Sequence, residues 1–120
     1  FTRKVPLTVT WHDPCHIGRH CGIYEEPRNI LKAIPGLRLI EMERIKDQGW
    51  CCGAGAGVRT AFPEHSFRIA AERIEEAKAT GAEAIATCCP YCEQSLMDPI
   101  KRNHEKIKLY DLTDLMLMAM

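Results

Sequence analysis

The sequence alternates short apolar stretches with longer amphipathic ones four times over, and that order restricts the fold more than any other feature. "LTVTWH" (7–12), "LRLIEM" (37–42), "AEAIATC" (82–88) and "IKLYDL" (107–112) are rich in Val, Ile or Leu and bounded by Gly, Pro or Asp, which reads as strands. Between them, "EEPRNILKAI" (25–34) opens with acidic residues and Pro27 and is stopped by Pro35-Gly36, the signature of a helix. "EHSFRIAAERIEEAKATG" (64–81) places Phe67, Ala70, Ala71, Ile74 and Ala77 on one face and ends at Gly81. "YCEQSLMDPIKRN" (91–103) is helical at least until Pro99, which kinks the helix or starts a new turn. "TDLMLMAM" (113–120) reads as a closing helix with Thr113 as its N-cap. The order predicts an α/β fold: a three-layer domain with a four-stranded, mainly parallel sheet (βαβαβαβα), right-handed crossovers and strand order 2-1-3-4.

A chain of 120 residues, 46% of them hydrophobic, forms one domain with a real core. Sixteen basic residues balance sixteen acidic ones, which argues against a nucleic-acid partner. No apolar run approaches the ~20 residues needed to cross a bilayer, and no export signal is visible. The expectation is a cytoplasmic protein with no direct membrane insertion. The first residue is Phe1 rather than methionine. Residues 1–120 are therefore expected to be a single domain, the C-terminal part of a longer subunit.

Seven cysteines need an explanation. The odd count and the missing export signal favour metal over a disulfide framework. Cys15 follows the first strand in "HDPCHIGRHC", Cys51 and Cys52 lie in the loop after the second, and Cys89 and Cys92 follow the third in "TCCPYC". In a parallel sheet all three loops leave at the carboxyl edge, where open α/β sheets bind ligands. Five thiolates gathered there would repel one another, and five thiols would oxidise easily. Soft sulfur ligands suit an iron–sulfur cluster, whose metal charge offsets the thiolates. A cubane needs four cysteines and zinc at most four, so five point to an unusual cluster or to a bystander. Adjacent cysteines such as Cys51 and Cys52 rarely bridge to each other, because the ring is strained. Gly53, Gly55 and Gly57 beside them would let main-chain N–H groups approach the cluster, and helices starting near the cysteines would aim positive dipole ends at it. "GAGAG" lacks the Gly-Lys-Ser/Thr of a phosphate-binding loop, so no nucleotide is expected.

Cys51 follows Cys15 by 36 positions (51 − 15), Cys89 follows Cys52 by 37 (89 − 52), and Cys89-Pro90-Tyr91-Cys92 closes the set. With "HDPCHIGRH", "CCGAGAG" and "TCCPYC", this spacing resembles the cysteine-rich CCG domain of heterodisulfide reductase catalytic subunits. The same domain occurs in iron–sulfur subunits of lactate, glycolate and glycerol-phosphate oxidation. The resemblance covers nearly the whole chain; Ala54 and Ala56 depart from it where relatives often carry glycine. It implies an oxidoreductase of anaerobic metabolism, working within a multi-subunit complex. Cys15, Cys51, Cys52, Cys89 and Cys92 would ligate a [4Fe-4S] cluster, noncubane in the relatives that cleave heterodisulfides, with zinc as the alternative metal. Implied partners are flavin- or ferredoxin-type redox subunits, a membrane cytochrome, and a thiol or disulfide substrate. Any attachment to the inner face of the membrane would run through those subunits.

Other residues read as follows. Cys21 and Cys88 are buried or incidental thiols, and Cys89 is preferred to Cys88 because it makes Cys-x-x-Cys with Cys92. Among His12, His16 and His20, His16 is singled out as a proton donor for disulfide cleavage; His12 ends a strand. Asp13-Pro14 is a turn former. Arg19 and Arg59 read as surface arginines, while Trp50 and Tyr91 shield the site from water. Met116, Met118 and Met120 mark the core-facing end of a helix.

Overall fold

The computed structural model describes residues 2–14, 21–42 and 63–120. The described elements are β1 (Thr8–Trp11), α1 (Glu25–Ala33), β2 (Arg38–Leu39), α2 (Pro63–Ala79), β3 (Ala84–Thr87), α3 (Pro90–Arg102), β4 (Lys108–Asp111) and α4 (Leu112–Met118). All pairings are parallel and the sheet runs β2-β1-β3-β4, the predicted order. Val9 pairs with Leu39 on one side and Ala84 on the other, and Trp11 pairs with Ala86.

The helices divide between the faces as the handedness of parallel crossovers demands. The chain moves one way across the sheet from β1 to β2, then the other way from β2 to β3 to β4. Keeping one hand therefore puts α1 on one face and α2 and α3 on the opposite one. Side-chain alternation follows. Val9, Trp11, Ala84 and Ala86 point to a core completed by Leu31 and Ile34 of α1 and by Leu112, Leu115 and Ala119. Ile85 points the other way, to Ala70, Ile74 and Ala77 of α2 and Cys92, Leu96 and Ile100 of α3. Leu31, Ile74, Ile85, Leu96 and Leu115 are wholly buried, each worth about 1.5–3 kcal/mol relative to exposure.

The structure corrects three expectations. β2 forms a ladder over two residues rather than six, because the chain beyond it turns Glu41 onto Arg28. Helix α3 extends past Pro99 to Arg102, within the stretch the pattern marked, with Leu96 and Ile100 buried on either side of the ring. Asp111, not Thr113, caps α4. Its carboxylate accepts from the Thr113 backbone N–H at 2.8 Å while its own N–H donates to Asp114 Oδ2 at 3.4 Å, a capping box. Of the three methionines only Met116 packs against the core; Met118 and Met120 are exposed.

Candidate functional site

The strand order reverses between β1 and β3, whose following segments depart toward opposite faces of the sheet. Such a divergence, at the carboxyl ends of the strands, is where open α/β sheets bind ligands. The two ends are fastened together: the His12 backbone N–H donates to Ala86 O at 2.9 Å, and Thr87 Oγ1 donates to His12 O at 3.2 Å. The chain then leaves β1 toward Cys15 and β3 toward Cys88, Cys89 and Cys92.

Cys89 is the N-cap of α3, in extended backbone, with Pro90 at the first helical position. Its carbonyl accepts from the Glu93 N–H at 2.9 Å. Cys92 lies three residues on, buried in the first turn and packed with Leu96, Ile85 and Ala70. A spacing of three within one turn puts both side chains on neighbouring positions of one face. The N-terminus of a 13-residue helix, with its positive dipole end, lies there. Two thiols so placed fit a soft metal centre. Among the described residues no group of three or more His, Cys, Asp or Glu is arranged to hold a metal ion. Cys15, Cys51, Cys52, Gly53, Gly55 and His16, like His20, Arg19, Arg59, Trp50 and the Tyr91 side chain, lie outside the described residues.

Cys88 has a different setting. Strand alternation turns it toward Ala84, Ala86 and Leu112, whereas Cys89 packs with the α2–α3 core. Burial pushes its thiol up to about 11, reinforced by the negative charge of Asp111, Cys89, Glu93 and Asp13. Cys88 is a thiol at neutral pH. Cys21 is exposed.

Around the end of β1 lies a scaffold of buried charge that sequence reasoning missed. Arg28 of α1 is 1% exposed and uses all five of its N–H donors. Nη1 and Nη2 bind Asp13 Oδ1 and Oδ2 at 2.7 Å each, Nε and Nη2 bind Glu41 at 2.6 and 3.2 Å, and Nη1 binds Tyr24 O at 2.8 Å. Burial alone would lower the Arg28 pKa, but the bonds to Asp13 and Glu41 outweigh it and raise it. Asp13 also accepts from Trp11 Nε1 at 3.1 Å, so it is a buried anchor and not merely a turn former. On the other face, fully buried Arg73 of α2 donates from Nε to His12 Nδ1 at 2.9 Å and pairs with Glu76 at 3.2 Å. Burial first, then the Arg73 charge, push His12 down to about 3. It is a neutral imidazole carrying its one proton on Nε2.

Glu93, next to Cys92, hydrogen-bonds Asp111 carboxyl to carboxyl. Desolvation, that shared bond and the charges of Asp111 and Asp114 raise Glu93 to about 7. Asp111 moves down: its bonds from Thr113 and Glu93 outweigh desolvation. The folded state thus holds a proton on Glu93 that the unfolded chain releases above pH 4.5, so this group costs stability as pH rises from 4.5 to about 7. Relative to the parent, Glu93→Gln is expected to remove that decline, which urea denaturation at stepped pH measures.

Comparison with known proteins matches the sequence to a family. The profile of the CCG cysteine-rich domain matches residues 9–97, and the chain belongs to that family. It is 45% identical over 96 residues to a subunit of the dihydromethanophenazine:CoB–CoM heterodisulfide reductase of Methanosarcina mazei, covering 80% of this chain and 24% of that protein. The same subunit of the Methanosarcina acetivorans enzyme is 41% identical over 118 residues, 98% of this chain and 29% of that protein. The probable iron-sulfur-binding oxidoreductase FadF of Bacillus subtilis is 42% identical over 114 residues, 93% of this chain and 16% of that protein. The chain thus spans less than a third of these relatives. No helix among the described residues is long and apolar enough to cross a membrane.

Proposed function

We propose that the chain is an iron–sulfur redox domain of a heterodisulfide-reductase-like subunit, in which Cys15, Cys51, Cys52, Cys89 and Cys92 hold a [4Fe-4S] cluster of noncubane type. The observation that carries this reading is the placement of Cys89 and Cys92 in the first turn of α3, at the strand-order reversal, beside the strand end that leads to Cys15. The names of the relatives support the redox assignment, as subunits of a heterodisulfide reductase and as an iron-sulfur-binding oxidoreductase.

When bound, the cluster supplies one-electron chemistry at sulfur. Backbone N–H groups at Gly53 and Gly55 would face its sulfides. Cleaving a disulfide takes two electrons and two protons and yields two thiols; His16 would donate one proton and water the other, and partner redox subunits of flavin or ferredoxin type would supply the electrons. Residues 1–120 act as one domain of a longer cytoplasmic subunit. A second reading, onward electron transfer without disulfide chemistry, is favoured by a 35% identical stretch in the EtfAB:quinone oxidoreductase of Syntrophomonas wolfei.

Iron and sulfide analysis of the complete subunit, purified anaerobically, tests the proposal. Cys89→Ser or Cys92→Ser should weaken iron retention by more than the ~10–100-fold typical of changes outside the ligand shell. Cys88→Ser should leave iron unchanged. Folded protein with neither iron nor sulfide after reconstitution rejects the cluster, and one tightly held zinc without visible absorption selects the structural-zinc alternative. Cleavage of a mixed disulfide by the loaded complex separates the two redox readings.

A further inference from the structure

We propose that Arg28 is a positioning residue for the metal centre, fixing Asp13 on the chain that leads to Cys15 and Glu41 on the chain that leads to Cys51; the inference rests on the reading of these cysteines as ligands. Three observations converge on it. The guanidinium is buried, and every N–H it has is engaged, so its position is set by its partners and theirs by it. Its partners come from the two chain segments that precede these cysteines. Asp13 stands two positions before Cys15 (15 − 13), and Glu41 lies just beyond β2, at the start of the chain that runs on to Cys51. Both carboxylates are gripped by two guanidinium nitrogens, a planar geometry that fixes direction as well as distance.

Charge gives the arrangement a second purpose. A bare Asp13 carboxylate two residues from a ligand would oppose the gathering of thiolates and of an anionic centre. Paired bidentately at 2.7 Å, the buried Asp13 carboxylate faces a guanidinium charge, while the charge of Glu41, whose side chain is 35% exposed, is left to solvent. Arginine, and not lysine, is needed, because a compact ammonium with three donors cannot span two carboxylates and a carbonyl in one plane.

Arg28→Lys keeps the charge and loses the fork. Glu41→Gln removes one carboxylate at a side chain 35% exposed and keeps its shape, so the fold tolerates it. Each is made in the complete subunit, reconstituted anaerobically with ferrous iron and sulfide, and challenged with a chelator. Arg28→Lys should lose iron about 10–100-fold more readily than the parent, and Glu41→Gln in the same direction by less. Both should alter the electron paramagnetic resonance spectrum of the loaded domain, which a purely structural role would leave unmoved. If Arg28→Lys fails to fold, Glu41→Gln decides by the same two readouts. Folded variants with parental iron retention and an unchanged spectrum overturn the role of Arg28 while Cys15→Ser still strips iron. If Cys15→Ser and Cys51→Ser both retain iron like the parent, the ligand reading falls, and the role of Arg28 with it.

Discussion

Acidification below pH 6.5 should cost the metal-free protein about 1.4 kcal/mol per pH unit more than it costs the His12→Gln variant. The cause is the imidazole at the end of β1, wholly buried and accepting from Arg73 at 2.9 Å. Protonation would place a second cation against the guanidinium, out of water. The folded pKa is accordingly depressed from 6.5 to about 3, first by burial and then by Arg73. Between those values the unfolded chain binds a proton that the folded one refuses. The contribution is complete above pH 6.5 and disappears as pH falls through about 3. Over the full window it amounts to on the order of 4–5 kcal/mol, much of the 5–15 kcal/mol by which domains of this size are stable. Glu93 acts in the opposite sense between pH 4.5 and about 7. The quantity to measure is therefore the difference between parent and His12→Gln, by urea denaturation from pH 7 to pH 4. Glutamine offers Arg73 an acceptor oxygen and does not titrate. Parallel pH profiles for the two proteins would contradict the assignment.

Arg28→Met should destabilise the metal-free protein by about 3–5 kcal/mol at neutral pH, the usual consequence of stranding a buried carboxylate. Methionine fills much of the volume, so the loss is electrostatic rather than steric. Asp13 would keep the Trp11 N–H but lose both guanidinium bonds. The double variant Arg28→Met/Asp13→Asn should recover part of the loss, because a neutral amide is cheaper to leave in the interior than a charge. Equal destabilisation in the single and double variants would show that packing, not the stranded charge, sets the cost.

Local pattern carried the fold well and the scaffold poorly. The positions of β1, β3 and β4 follow from Val, Ile and Leu runs between turn residues, and the sheet order follows from the handedness of crossovers once the elements alternate. The preference for Cys89 over Cys88 rests on Cys-x-x-Cys spacing, and in the fold the two side chains pack against different layers. Arg28 and Arg73 were not legible. A charged residue in an amphipathic helix is normally solvated, and what buries these two is chemistry supplied from afar. Asp13 and Glu41 are 15 and 13 positions from Arg28, and His12 is 61 from Arg73. The sequence did contain a clue, since "HDP" at the end of the central strand offers an acceptor to each face. Reading it required knowing which helix would cover which face. The cap of α4 was missed on a finer scale, where Asp111 and Thr113 both satisfy the same preference and only the backbone path chooses between them.

The end of β3 makes its two neighbouring sulfurs non-interchangeable. Successive residues of an extended chain face opposite ways, so Cys88 and Cys89 answer to different layers of the protein however close they stand along it. A chain that lost the second sulfur could not call on the first as a spare without rotating the backbone half a turn ahead of Pro90, whose ring forbids much rearrangement. Parity along the strand, more than nearness, decides which of the pair stands on Cys92's side of the sheet.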